Sequence, residues 1–317
     1  MAPTPDYKLV VVLPCLNEGA TIGSTIKEIL GHAPQSHIIV VDNNSKDSTA
    51  QIAVDQGVHV VFEPSPGKGR AFRAALRTLP KDFDALLMID GDGTYDVSRI
   101  SEAMALINHA GIDLVVGTRQ IEASSTNSYR RGHQFGNKGF TLLSKLFHSS
   151  EIEDSLSGWR LMSHQFIGTF PANSRGFEIE TEINAHARNF DLNVANVEVC
   201  YRERPVGSFS KLRTFKDGYK ILVSNFRIAL HNRPLVFLGT PAFLAGLSSL
   251  PLIYRAISGY IRTGLVGQLP SLLVGTSLLV GGVIIFAIGY LLEQMRIMHI
   301  SDIRQAYFLN VRDVRQQ

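Results

Sequence analysis

The chain has 317 residues and a formal net charge of +3 at pH 7, with 45% hydrophobic residues; this is room for about two domains. So slight a basic excess suits anionic substrates or an anionic membrane surface better than a duplex nucleic acid, which would call for a concentrated basic face. The two cysteines, Cys15 and Cys200, lie in apolar stretches and read as buried free thiols of a reducing compartment, and the opening MAPTPDYK has neither the charged start nor the apolar core of a secretory signal.

Residues 8–13 form a short β-branched run stopped by Pro14 and read as a first strand. Asn17-Glu18-Gly19 opens a helix with Ile22, Ile26, Ile29 and Leu30 on one face. A second buried strand at 37–41 ends in Asp42-Asn43-Asn44-Ser45, and a helix runs from Ser48 and Thr49 to about Gln56. Residues 58–62 make a third strand, followed by Pro64-Ser65-Pro66-Gly67-Lys68-Gly69 and a helix over 70–79. The fourth strand, 83–89, runs straight into Asp90-Gly91-Asp92-Gly93. Strand and helix alternating in this way predict a parallel, doubly wound α/β sheet.

Further strands are expected at 112–117 and 194–201, and helices at about 137–147 and 178–189. Between Gln120 and Arg131 the chain turns polar and reads as a mobile loop of the kind that covers active sites. Residues 235–254 and 271–292 carry no charge for about twenty residues each, long enough as helices to cross the roughly 30 Å hydrocarbon core. Arg and Lys crowd before the first span and after the second, whereas the connection holds only Arg255 and Arg262. That asymmetry places both termini in the cytoplasm. Before the first span, residues 214–232 interleave Phe215, Tyr219, Ile221, Leu222 and Phe226 with Lys216, Lys220 and Arg227, the pattern of an amphipathic helix on the inner membrane surface. The expected organisation is a catalytic domain at 1–213, this juxtamembrane helix, a hairpin at 233–294 and a cytoplasmic tail at 295–317. The tail could pack against a second copy, which leaves a homo-oligomer open.

The chemistry concentrates where strands end. Two carboxylates one residue apart, Asp90 and Asp92, suit a hard divalent cation that takes its remaining ligands from a diphosphate. Asp42 is placed to accept hydrogen bonds from ribose hydroxyls or a base edge. The first strand lacks the Gly-x-Gly-x-x-Gly of a nicotinamide-binding fold, and Gly67-Lys68-Gly69-Arg70 is no P-loop, though it offers two cations beside flexible backbone.

In their order, Leu13-Pro14-Cys15-Leu16-Asn17-Glu18, Val41-Asp42-Asn43-Asn44-Ser45-Lys46-Asp47-Ser48-Thr49, Gly67-Lys68-Gly69, Asp90-Gly91-Asp92, Val116-Gly117-Thr118-Arg119, Ser157-Gly158-Trp159-Arg160 and Tyr201-Arg202-Glu203-Arg204 with Ser208-Phe209-Ser210-Lys211-Leu212 resemble the family 2 glycosyltransferases. Within them the resemblance is to the polyprenyl-phosphate hexosyltransferases of the dolichol-phosphate mannose synthase type, and it covers about residues 8–232. It implies a GT-A fold followed by a transmembrane hairpin. It also implies an inverting transfer of a hexose from a nucleoside-diphosphate sugar, of the GDP-mannose or UDP-glucose type, to polyprenyl phosphate at the bilayer, with Mg²⁺ or Mn²⁺. Carried over, Pro14, Asn17, Glu18, Asp42 and Lys68 bind the nucleotide sugar; Asp90 and Asp92 take the ribose and the metal-diphosphate. Arg119 and Arg131 face the acceptor phosphate, and Arg202 with Lys211 holds phosphates of donor or acceptor. Asp154, Glu178 and Glu180 are either sugar-hydroxyl contacts or ordinary surface acids. Relatives of this type often carry Gln where this chain has Thr94, so either Thr94 or water completes the metal shell. The alternatives are the same fold acting on another lipid or glycan acceptor, which needs a catalytic base, and a catalytically silent nucleotide-sugar-binding subunit.

Overall fold

The computed structural model describes residues 8–121, 152–202, 233–265 and 267–315. Arg131, Lys211, most of the 120–131 loop, the 137–147 helix and the 214–232 amphipathic helix lie outside them. The chain divides into two units, Met1–Asn225 with Gln305–Gln317, and Phe226–Arg304.

The first unit is built on strands β1 (Leu9–Cys15), β2 (His37–Asp42), β3 (His59–Phe62), β4 (Ala85–Met88), β5 (Leu114–Ile121), β6 (Arg160–Ser163) and β7 (Val194–Tyr201), in the order β3-β2-β1-β4-β6-β5-β7. β1 pairs in parallel with β2 and β4, β2 with β3, and β5 with β7, while β6 runs antiparallel to both β4 and β5. The sheet is therefore mixed, not wholly parallel. Two reversals across β6 restore the direction, so β1 to β5 and β7 all end at one edge, and β6 starts there.

Period-two alternation sorts the strand residues between two cores. Val11, Leu13 and Cys15 face helices α1 (Ile22–His32), α2 (Thr49–Asp55) and α4 (Ile100–Ala110), whereas Val10 and Val12 face α3 (Lys68–Leu76), α5 (His164–Thr169) and α6 (Ile179–Asn189). Phe72 and Trp159 are completely buried, one in each core, a gain of about 1.5–3 kcal/mol for each such side chain. Gly111 at φ 65° ends α4 in the left-handed conformation that glycine takes without a Cβ clash.

The second unit contains α7 (Pro234–Thr263) and most of α8, which runs from Leu269 to Arg315. Both are long and apolar enough to cross a membrane. α7 outlasts the expected span: Arg255 and Arg262 sit on its last turns rather than in the connection, and Gly264 at φ 66° ends it. Phe243, Tyr254, Ile261 and Val283 are each more than 60% exposed, unlike the side chains of a buried core helix. Where the helices meet, glycine recurs every seventh residue. A Cβ on Gly275 would lie 2.8 Å from Ile253, one on Gly282 2.9 Å from the Ala242 carbonyl oxygen, and one on Gly289 3.0 Å from Leu238.

Candidate active site

The ends of β1, β2, β4 and β5 bring Pro14, Asn17, Glu18, Asp42, Asp90, Asp92 and Arg119 to a single sheet edge, which the start of β6 shares. The first two loops are stitched to each other. The Asn17 amide donates to Ser45 Oγ (2.9 Å), Asn17 Oδ1 accepts from the Lys46 amide (2.7 Å), and the Glu18 amide donates to Thr49 Oγ1 (2.8 Å). Asn17 and Asn44 hold positive φ, 52° and 65°, which asparagine tolerates better than most residues. Pro14 lies on β1 opposite Val41, and Asp42, 5% exposed, accepts from the Ser45 amide at 3.0 Å. Asn43, to which sequence reasoning gave no role, ties three segments together. Its Nδ2 donates to the Glu63 and Ser65 carbonyls (3.0 and 2.7 Å), its Oδ1 accepts from the Gly67 amide (2.6 Å), and its own amide donates to the Cys15 carbonyl (2.8 Å).

That tether places Gly67-Lys68-Gly69 against residues 174–176. A Cβ on Gly67 would meet the Arg175 carbonyl oxygen at 2.0 Å, and one on Gly69 the Ser174 oxygen at 2.4 Å. Glycine is needed here for close passage of two backbones. Lys68, far from being a surface cation, is buried, with Nζ 2.5 Å from Asp90 Oδ1 and 2.7 Å from Glu180 Oε1. Burial alone would push its ammonium down, but the two carboxylates outweigh that and hold it charged well above its ordinary range.

Asp90 and Asp92 follow β4 in a tight turn. Asp92 is 4% exposed, and its Oδ1 accepts from both the amide and the hydroxyl of Thr94 (3.2 and 2.6 Å). The Thr94 proton is thus spent on orienting Asp92. Among the described residues no three His, Cys, Asp or Glu gather as a self-sufficient metal cage. Two adjacent carboxylates, one fixed by a threonine, fit Mg²⁺ or Mn²⁺ that draws its other ligands from substrate phosphate.

Arg119, near the end of β5, grips Asp154 through two parallel bonds, Nε to Oδ2 at 2.6 Å and Nη2 to Oδ1 at 2.9 Å, and its guanidinium lies 5.5 Å from the centre of the Tyr201 ring. Burial acts to raise the Asp154 carboxyl, yet the Arg119 contacts win and hold it below the usual carboxylate range. Burial also opposes the Arg119 charge, and Asp154 more than compensates. Asp154 and Glu180 are therefore not ordinary surface acids: both are mostly enclosed and both are ion-paired. Arg202 is committed to Glu28 by two bonds of 2.9 Å, with Asp96 at 3.4 Å, so it ties β7 to α1.

Gly158 closes the edge. Its amide donates to Tyr95 Oη (2.7 Å), and a Cβ on it would lie 2.3 Å from Asp90 Oδ2. Burial pushes the Tyr95 phenol up, so it stays protonated. His186 is drawn down to about 3 by burial and packs among Phe166, Phe170 and Phe190 as a neutral core residue.

A profile described as Glycosyl transferase family 2 matches residues 10–169, just over half of the chain. Glycosyltransferase AglJ of Haloferax volcanii is 30% identical over 265 residues, 82% of this chain and 85% of that protein. The polyprenol monophosphomannose synthase of Mycolicibacterium smegmatis is 25% identical over 236 residues, 71% of this chain and 87% of its own. Among solved structures, glucosyl-3-phosphoglycerate synthase of Mycobacterium tuberculosis, in complex with Mn²⁺, UDP and glucosyl-3-phosphoglycerate, superposes with a TM-score of 0.54 at 23% identity, covering 72% of this chain and 80% of that one. The mixed, mostly parallel sheet is thus GT-A-like, and with its motifs in register at one edge, the chain belongs to glycosyl transferase family 2.

Proposed function

We propose that this protein is a membrane-anchored inverting glycosyltransferase that moves a hexose from a nucleoside-diphosphate sugar, of the GDP-mannose or UDP-glucose type, to polyprenyl phosphate. The observation that carries this reading is the convergence at one sheet edge of the Asp90/Asp92 pair and the Arg119 fork, joined by residues 154–158. An acid pair suits a metal-bound diphosphate, and a planar guanidinium suits a phosphate.

The Arg119 fork supports a phosphate acceptor, whose paired oxygens match the two donors that now hold Asp154. A hydroxyl acceptor must surrender a proton as it attacks and so calls for a base. A phosphate monoester, with its second pKa near 6, arrives already ionised. One of its oxygens forms the bond to the anomeric carbon while the bond from that carbon to the diphosphate oxygen breaks. The nucleoside diphosphate departs, and an α-linked donor gives a β-linked product.

Asp90 and Asp92 would hold Mg²⁺ or Mn²⁺, which when bound neutralises the leaving diphosphate as a Lewis acid. Pro14, Asn17, Glu18, Asp42 and Lys68 line the nucleotide-sugar side. Arg119 and Arg131 orient the acceptor phosphate, Lys211 holds phosphates of donor or acceptor, and Arg202 would have to leave Glu28 to join it. The two long apolar helices would anchor the enzyme as a hairpin, with catalytic domain and termini on the cytoplasmic face. An isoprenoid tail resists leaving the bilayer at about 0.8 kcal/mol per CH₂, so the phosphate must be met at the interface. The name of the Mycolicibacterium smegmatis relative, a polyprenol monophosphomannose synthase, supports the acceptor class.

The test is transfer of labelled hexose from a panel of UDP- and GDP-sugars to undecaprenyl or dolichyl phosphate in detergent, with Mg²⁺ or Mn²⁺ and with chelator. A metal-dependent, chloroform-extractable product from one donor is expected, and Arg131→Ala should weaken use of the acceptor while sparing donor binding. Donor binding without product from any sugar would overturn the acceptor assignment and favour a silent subunit.

A further inference from the structure

Arg160 is completely buried at the start of β6. Its Nε donates to the Ser157 carbonyl (2.9 Å), its Nη2 to the Ser155 carbonyl (2.9 Å) and its Nη1 to Oδ1 of Asn184 on α6, while Asn184 Nδ2 donates to the same Ser155 carbonyl at 3.0 Å. All three acceptors are neutral oxygens, and the carboxylates of Glu180 and Asp154 favour its charge from further off without offsetting its burial. An arginine does not escape burial by losing its proton, and a charge so buried is costly compared with a well-packed apolar side chain. Stability alone therefore does not account for it.

What the guanidinium holds does account for it. All its backbone contacts fall on residues 155–157, in the middle of a loop whose two ends do different work. At one end Asp154 occupies the Arg119 fork; at the other, the Gly158 backbone lies against the Asp90 carboxylate with no room for a Cβ. Only three residues separate these ends, and Arg160 and Asn184 remove their slack from beneath. The Gly158 backbone thus limits how Asp90 can move as it takes up a cation and diphosphate. Arg119, meanwhile, has two alternative partners for one fork, Asp154 or an arriving phosphate.

We propose that residues 154–158 couple the diphosphate–metal half-site to the acceptor-phosphate half-site, and that Arg160 is the positioning residue that stiffens the loop enough to carry the coupling. This rests on the function proposed above and adds to it an order of events: seating the donor loosens the hold of Asp154 on Arg119 and readies that fork for the acceptor. Coupling of this kind is reciprocal, so the acceptor tightens the donor by the same factor.

The experiment uses the full chain in detergent, with Mn²⁺ plus UDP-glucose or GDP-mannose as donor probes and undecaprenyl phosphate as acceptor. Arg160→Lys keeps the charge but loses the fork that spans three oxygens; Asn184→Ser withdraws the amide that accepts from Arg160 and donates to the Ser155 carbonyl, and is the milder change. Hydrogen exchange of the peptide covering 153–160 is read with and without donor, beside the acceptor KM at low and saturating donor. In wild type, donor with Mn²⁺ should alter exchange in this peptide, and saturating donor should lower the acceptor KM by about 5-fold or more. In both variants the exchange response and the KM shift should vanish and kcat should fall about 10- to 100-fold, as for a misplaced reactant, while the donor Kd measured without acceptor stays within about 3-fold of wild type. Folded variants that keep the response and the shift overturn the proposal, as does a wild-type 153–160 peptide indifferent to donor. If Arg160→Lys does not fold, Asn184→Ser and the wild-type exchange decide. A wild type that shows the exchange response yet transfers nothing to undecaprenyl phosphate supports the coupling and overturns the acceptor instead.

Discussion

The Lys68 ammonium stands between two carboxylates, 2.5 Å from Asp90 and 2.7 Å from Glu180, a residue 112 positions further along the chain. It fastens α3 to α6 and holds the first acid of the Asp90/Asp92 pair in place. One buried cation thus serves both the fold and the site.

Removing it should leave the buried Glu180 carboxylate and the partly exposed Asp90 carboxylate facing each other. Lys68→Met is expected to destabilise the protein by about 3–5 kcal/mol, the usual loss when one partner of a buried pair is deleted. The folded-state pKa of Lys68 is raised, so its contribution is fully present below the unfolded value near 10.4 and fades only at higher pH. Thermal unfolding of wild type and variant at pH 6, 7.5 and 9 should show a constant gap. A gap that closes by pH 9 would contradict the pairing.

Thr94 is expected to act through Asp92. Its hydroxyl donates to Oδ1 at 2.6 Å, and Thr94→Val keeps the shape while deleting the donor. Mn²⁺ affinity, measured by titration with paramagnetic detection, should fall about 10-fold, in the range typical of lost partners behind a metal ligand. Asp92→Ala should abolish both Mn²⁺ binding and transfer while the unfolding transition persists. Unchanged affinity in Thr94→Val would mean that the threonine merely fills space.

Much of this site was legible in sequence because short-range rules govern it. The apolar runs, their turn residues and the alternation with helices placed Asp42, Asp90 and Asp92 at strand ends, where the structure has them. What escaped was direction and distant pairing. β6 is the four residues Arg-Leu-Met-Ser, a run that says nothing of parallel or antiparallel and opens on a charge. Glu180, paired with Lys68, and Glu28, paired with Arg202, lie 112 and 174 residues away, and no local pattern announces them. Gly67 and Gly69 read as flexible backbone, yet their constraint, like that of Gly158, is the carbonyl or carboxylate that each would strike. The apolar run that ends at Tyr254 does not mark the end of its helix, because α7 carries Arg255 and Arg262 for two more turns.

The Arg119–Asp154 pair should show itself in acid. The folded-state pKa of Asp154 is depressed, so its contribution is present above the unfolded value near 3.9 and disappears as pH falls through the folded one. Asp154→Asn lacks that contribution at every pH. The stability gap between the two proteins, about 1 kcal/mol for a charge-assisted pair that is partly open to solvent, should be full at pH 6 and shrink progressively below pH 5. Denaturant titrations across that range measure it, and a gap that widened toward acid would assign Asp154 to some other partner.

The glycine spacing in α8 predicts a difference between neighbouring positions. Gly282 faces α7, where a Cβ would come within 2.9 Å of the Ala242 carbonyl oxygen, while a Cβ on Gly281 would meet nothing within 4 Å. Small residues let apolar helices approach closely where no hydrophobic effect drives them together, as in lipid. Gly282→Leu should force the helices apart at a cost of about 1–3 kcal/mol, the range for overpacked contacts, and expose the connection around Gly264 to protease in detergent. Gly281→Leu should behave as wild type in the same digestion. Equal sensitivity of the two variants would show that the helices are held together by something other than this seam, since both substitutions add the same apolar bulk and differ only in the face that receives it.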